Sequence, residues 1–172
     1  IMGLLDNPTS GSIFLEGVNV AGLDDESAAK IRNQKLGFIF QSFHLIPALN
    51  ILDNVELPLL YRKNVSAAER REKAKQVLEK VGLSHRMKHF PAQLSGGQCQ
   101  RAAIARAIIG SPEILLADEP TGNLDSKMGE EILELLLQLN REGMTIVMVT
   151  HDAHIAQRTG RIIRFADGKQ VE

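Results

Sequence analysis

Three short aliphatic runs punctuate an otherwise mixed chain: Leu36-Gly-Phe-Ile-Phe40, Ile114-Leu-Leu-Ala117 and Thr145-Ile-Val-Met-Val-Thr150. Each is too short for a stable helix and is followed by a polar residue, the pattern of a buried strand in a parallel sheet. The residues that follow are Gln41, the pair Asp118-Glu119, and His151. Between these runs the apolar period lengthens to that of a helix. Ala74, Val77, Leu78 and Val81 recur at helical spacing behind the capping pair Ser66 and Glu69, and Gly82 supplies the stop. Met128, Ile132, Leu135, Leu136 and Leu139 make one face of a helix from about Ser126 to Glu142, with Gly143 as its stop. A polar helix over Asp24 to Asn33, one from Ser95 through Ile109 to Gly110, and a short one from Asp152 complete the set. Strands alternating with helices predict an α/β fold.

Weaker signals fill the gaps. Ser12-Ile-Phe-Leu-Glu16 reads as a strand turning at Gly17 onto Val18-Asn-Val20, and Arg161–Phe165 as a strand before an Asp167-Gly168 hairpin turn. Ile1-Met-Gly-Leu-Leu5 has no N-cap ahead of it and reads as the tail of a helix whose beginning is missing. Ser42-Phe-His-Leu-Ile-Pro47 is apolar but irregular, since its proline opposes a long helix. From Ile51 to Leu94 no convincing strand occurs, so this block reads as a helical insertion.

One helix start carries chemistry. In Leu94-Ser-Gly-Gly-Gln98, Ser95 and Gln98 form a capping box, while Gly96 and Gly97 leave the first N–H groups uncovered. Free donors at the positive end of a helix dipole make an anion site. If the three strands lie side by side and parallel, Gln41, Asp118, Glu119 and His151 meet at the carboxyl rim, where open α/β sheets bind ligands. An anion site plus paired carboxylates points to phosphate and metal chemistry.

Composition trims the alternatives. With 20 basic and 21 acidic residues the chain has no general nucleic-acid surface. No apolar run approaches the roughly 18 residues of a membrane span, and no signal peptide is visible. Cys99, the single cysteine, cannot form an internal disulfide and fits a reducing cytosol. His44, His85, His89 and His154 show no metal-ligand spacing. The length suits one domain with a small lobe.

Leu94-Ser-Gly-Gly-Gln98 followed by Ile114-Leu-Leu-Ala-Asp-Glu-Pro120 resembles the signature sequence and Walker B motif of ABC-type ATPases. The resemblance runs over essentially the whole chain. Gln41 matches the Q-loop glutamine, Leu124-Asp125 the end of the D-loop, and His151 the H-loop histidine. Phe40-Gln-Ser-Phe-His-Leu-Ile-Pro47 and Pro120-Thr-Gly-Asn-Leu-Asp125 are similar to the branch serving lipoprotein release and macrolide export. Cys99 stands where many relatives carry glutamine.

The resemblance implies a P-loop NTPase of RecA-like α/β type: a parallel sheet with a helical subdomain at about 51–94, a catalytic core of 1–50 and 95–172, and incomplete N-terminal strands. It implies ATP and Mg²⁺ as cofactors. Asp118 and Gln41 would hold the metal, Glu119 would activate water, and His151 would sense the γ-phosphate. Ser95, Gly96, Gly97 and Gln98 would bind nucleotide held by the opposite subunit, and Asp125 would cross the dimer interface or cap the next helix. A bulky side chain at Gly97 would block close backbone approach. The implied partners are membrane permease subunits and a second ATPase subunit, at the inner face of the cell membrane. Phe43, Leu45 and Ile46 would be core or a groove for the permease. The family's Walker A loop, Gly-x-x-x-x-Gly-Lys-Ser/Thr, is absent, because the one Gly-Lys pair is Gly168-Lys169. The expectation is therefore a fragment inactive by itself. Rival expectations are a cell-division-like regulatory ATPase, an ATPase acting on DNA or translation, and a defective gene product.

Overall fold

The computed structural model describes residues 1–171. Its centre is a three-stranded parallel sheet of β3 (Leu36–Ile39), β4 (Ile114–Asp118) and β5 (Thr145–Val149), in the order β3-β4-β5. Leu36 pairs with Ile114 and Ile39 with Ala117, while Asp118 pairs with Val149. The strands therefore end nearly level.

The alternation of side chains across the pleat sorts the core into two layers. On one face Ile39, Leu115 and Ala117 join a cluster with α4 (Gly96–Ile108) and α5 (Ser126–Arg141), including Ile104, Ala105, Ile132 and Leu136. On the other face Leu36, Phe38, Ile114 and Leu116 gather with Leu4, Val20 and Ala28. The small side chains of α4 let it close on the sheet. A Cβ on Gly37 would lie 2.6 Å from the Ala107 carbonyl oxygen.

The expected helical block is present. It comprises α2 (Ile51–Leu60), α3 (Ala67–Lys80) and 3₁₀ turns at Ser84–Arg86 and Pro91–Gln93. It shares the first core layer through Leu52, Val55, Leu59, Ala74 and Leu78, so it packs against α4 and is not tethered loosely. Ser66 and Glu69 form the reciprocal cap of α3.

The hairpins form as their turn residues dictate. β1 (Phe14–Leu15) pairs antiparallel with β2 (Val18–Asn19), and β6 (Arg164–Ala166) with β7 (Lys169–Val171). Glu16-Gly17 and Asp167-Gly168 all have positive φ, as a type I′ turn requires. The two remaining helices are α1 (Asp25–Lys35), capped by Asp24, and α6 (Ala153–Gln157), capped by Asp152.

Residues 1–5, expected as the tail of a helix, form a turn in this chain, closed by the Leu4 N–H on the Ile1 carbonyl at 2.9 Å. Leu4 drops into the second core layer, and Arg32 holds its carbonyl at 2.5 Å. Among the described residues β5 pairs with β4 alone, and its Thr145 and Val149 are exposed.

Candidate functional site

The level strand ends bring Gln41, Asp118, Glu119 and His151 to one rim of the sheet. Glu119 holds that rim together. Its backbone N–H donates to the Val149 carbonyl at 3.0 Å, continuing the β4–β5 ladder one residue past the strand. Its Oε1 accepts the backbone N–H of His151 at 2.9 Å and lies 2.7 Å from His151 Nδ1. Thr150 Oγ1 donates weakly to the other oxygen at 3.4 Å. Glu119 also has φ +44°, a left-handed conformation unfavourable for a residue with a Cβ. Backbone strain of this kind concentrates at functional positions. The Glu119 side chain is 19% exposed and that of His151 85%, so a shielded carboxylate sits behind an accessible imidazole.

The proton on His151 follows from this contact. With a carboxylate oxygen at Nδ1, that nitrogen carries the hydrogen, leaving Nε2 available to a ligand. Asp118 ends β4 exposed and one residue away, with no such tether. Gln41 lies on the opposite flank. Its Nε2 donates to Asn123 Oδ1 at 3.2 Å, and Asn123 Nδ2 returns a bond to the Gln41 carbonyl at 3.0 Å. Gly122 leaves the room for this: a Cβ there would lie 2.7 Å from Gln41 Nε2.

The helix start behaves as its letters predict. Ser95 Oγ accepts from the Gln98 N–H at 3.3 Å and Gln98 Oε1 accepts from the Ser95 N–H at 3.1 Å. These two side chains are thus engaged in capping, which leaves the Gly96 and Gly97 amides as the free donors of α4. The glycines have a packing reason as well. A Cβ on Gly97 would meet Met128 Sδ at 3.0 Å, and one on Gly96 would meet Leu124 at 3.3 Å and Phe43 at 3.8 Å. Bulk at Gly97 would therefore also press on Met128 of α5. Asp125 caps α5, its Oδ1 accepting from the Met128 N–H at 3.0 Å.

Three residues that the sequence reading left without a role belong to this region. Asn123 fixes Gln41 from within the quoted Pro120–Asp125 stretch. Gly122 makes space for the same side chain. Gln100, wholly buried, donates to the Pro120 carbonyl at 2.5 Å, tying α4 to the turn after Glu119. A polar residue at a core-facing helix position was the available signal. Cys99 is buried next to it, and burial pushes its thiol pKa up, so it stays protonated and inert.

Residues 1–122 match the family model described as ABC transporter. The chain belongs to the ABC transporter family. An ABC transporter ATP-binding protein of Thermotoga maritima is 52% identical over 169 residues, covering 98% of this chain and 72% of that protein. The macrolide export ATP-binding/permease protein MacB of Shewanella sp. is 49% identical over 98% of this chain but only 26% of its own length. A solved dimeric structure of the ATP-binding cassette MJ0796 in a post-hydrolysis state, bound to ADP and Pi, superposes with a TM-score of 0.87. It is 48% identical and the match covers 99% of this chain and 75% of that one. This chain therefore has the ABC ATPase cassette fold and the function of an ABC transporter ATP-binding subunit, a family that binds and hydrolyses ATP. Among the described residues no helix is long and apolar enough to cross a membrane.

Proposed function

We propose that the rim made by Gln41, Asp118, Glu119 and His151 is the hydrolytic half of an ATP site, completed by the α4 start of a second subunit. The observation that carries this reading is the Glu119–His151 contact at 2.7 Å, a general base and its orienting partner on a strained backbone. Glu119 takes the proton of the attacking water. The water oxygen bonds to the γ-phosphorus as the bridging oxygen leaves with ADP. His151 holds the water and the γ-phosphate in line.

The donor chemistry fits Mg²⁺, which takes one or two carboxylates and keeps waters and substrate phosphates as its other ligands. Among the described residues no cluster of three His, Cys, Asp or Glu forms a closed cage, whereas Asp118 is exposed at the strand end with Gln41 across the rim. Asp118 and Gln41 would hold the ion, which when bound neutralises charge building on the β- and γ-phosphates.

The helical block of about 51–94 serves as a subdomain of a single domain whose catalytic core is 1–50 and 95–172. The sequence itself holds no Gly-x-x-x-x-Gly-Lys-Ser/Thr stretch, so these 172 residues alone hydrolyse no ATP. Gly96 and Gly97 present their amides to the γ-phosphate of nucleotide on the opposite subunit, a reading supported by the likeness to MJ0796, solved as a dimer bound to ADP and Pi. The partners are a second ATPase subunit and a membrane permease at the inner face of the membrane. The work performed is substrate export or lipoprotein release, and the likeness to MacB, named for macrolide export, supports the first.

Mixing intact subunits tests the shared site. A Glu119→Gln subunit and a subunit disabled at the α4 start are each inactive as homodimers. A mixed dimer regains one site with both halves intact. Equal mixing should restore about a quarter of wild-type turnover if pairing is random. No restoration, despite subunit exchange, would show that both halves act within one chain.

A further inference from the structure

The loop after Gln41 is held in an unfavourable shape. Phe43 and His44 are consecutive residues with side chains, yet both have left-handed φ, +57° and +49°. Neither position is glycine or asparagine, the residues that adopt that conformation most readily. The compensation comes from α4. Arg106 Nη2 donates to the Phe43 carbonyl at 2.7 Å and Nη1 donates to the His44 carbonyl. One guanidinium thus spans two carbonyls that converge only because the turn is left-handed twice. Burial pulls the Arg106 pKa down, but guanidinium remains charged, and the carbonyl dipoles stabilise it.

The turn is also anchored on its far side. Asn54, wholly buried on α2, accepts from the Ile46 N–H at 2.7 Å and donates to the carbonyls of Ile46, Leu49 and Asn50. His44 packs its ring on Phe40 at a centroid distance of 5.0 Å. The consequence lies at the start of α4. The Phe43 ring stands beside Gly96, where a Cβ would be 3.8 Å from its Cζ. Helix α4 therefore grips the loop through Arg106 and meets the same loop again at Gly96, one of the two free amides.

We infer that Arg106 is a positioning residue, which holds the Phe43–His44 turn left-handed so that Gln41 and the α4 start move as one body. This rests on the rim and the α4 start acting as proposed above. Deleting the guanidinium would let the turn relax, moving Gln41 relative to Gly96 without touching nucleotide. Misplacement by about 1 Å costs up to about 100-fold in rate, so a loss of about tenfold is expected for a loop still held by Asn54.

The test is a double-mutant cycle in the intact subunit. Arg106→Met should lower kcat about tenfold and leave KM for ATP within about twofold. His44→Gly removes the left-handed penalty, so the double variant should recover to within about threefold of His44→Gly alone. An equal loss from Arg106→Met in both backgrounds would overturn the inference, as would unchanged kcat. If Arg106→Met does not fold, Arg106→Lys serves, because a point charge cannot span both carbonyls. It should give an intermediate loss that His44→Gly relieves, and wild-type kcat would overturn the role. Glu119→Gln run in parallel separates the two readings. Its inactivity beside an unaffected Arg106→Met removes Arg106 alone, whereas an active Glu119→Gln removes the rim and this inference with it.

Discussion

A single oxygen of Glu119 receives both the backbone N–H of His151 at 2.9 Å and its ring Nδ1 at 2.7 Å. This makes the carboxylate the hinge between the end of β4 and the residue after β5. Replacing Glu119 by Gln keeps an oxygen for the backbone N–H while removing the base. Turnover in the intact subunit should fall by about 10²–10⁴-fold, with nucleotide affinity retained. Steady-state hydrolysis beside equilibrium nucleotide binding checks this. Turnover within a few-fold of wild type would remove Glu119 from the role of base.

Gly122 offers a way to move Gln41 without touching it. An added Cβ meets Gln41 at Nε2, Cδ and Cγ, at 2.7, 3.1 and 3.3 Å. These are atoms of a flexible, exposed side chain, so the chain can yield at small cost in stability. Gly122→Ala should leave the melting temperature within about 2 °C, since surface substitutions stay within about 0.5 kcal/mol. It should lower kcat severalfold and raise the Mg²⁺ concentration needed for half-maximal turnover. Unchanged Mg²⁺ dependence would argue that Gln41 plays no part in holding the ion.

The rim was legible in the sequence because each of its members follows a strand whose aliphatic run is unmistakable, and a parallel sheet ends its strands together. The capping boxes at Ser66 and Ser95 were legible for a similar reason, since their geometry is local. What escaped was set by distant partners. Nothing near Asn123 in sequence says that it will face Gln41, 82 positions earlier. Arg106 reads as one more polar residue on α4 until the Phe43–His44 turn comes against it.

Acid should loosen the surface before it reaches the core. Glu69 has its pKa lowered by hydrogen bonds from Ser66, and Asp24 by those from Ser27. Glu134 is lowered by Arg141, and Glu142 by Lys80 and then Gln138. In each case the folded pKa lies below the unfolded one. The stability that these groups contribute is thus fully present above the ordinary carboxylate range, about pH 4–4.5, and is lost as pH falls through the lower folded values. Salt divides them. The ion pairs of Glu134 and Glu142 are screened at 1 M salt, where the Debye length is about 3 Å, while the caps of Asp24 and Glu69 are not. Melting temperature followed from pH 7 downward should drop in both salts, with a smaller drop at high salt. Salt-independent curves would assign the acid response to the caps alone.

Gly37 supplies the opposite case to Gly122. A Cβ there would lie 2.6 Å from the Ala107 carbonyl oxygen, 2.8 Å from Leu115 Cδ1 and 3.1 Å from Pro112 Cγ. The first of these is backbone of α4, which cannot yield without lifting the helix from β3. Gly37→Ala should therefore cost about 1–3 kcal/mol of stability, as overpacking of a close-packed core does. Gly37 lies near the beginning of β3, at the end of the sheet away from the rim. Its effect should fall on the denaturation midpoint and spare kcat per folded subunit. Matched denaturation and turnover measurements on both glycine variants would show stability and activity failing separately. If Gly37→Ala lost turnover in proportion to Gly122→Ala while remaining folded, the packing of α4 on β3 would itself be setting the geometry of the rim.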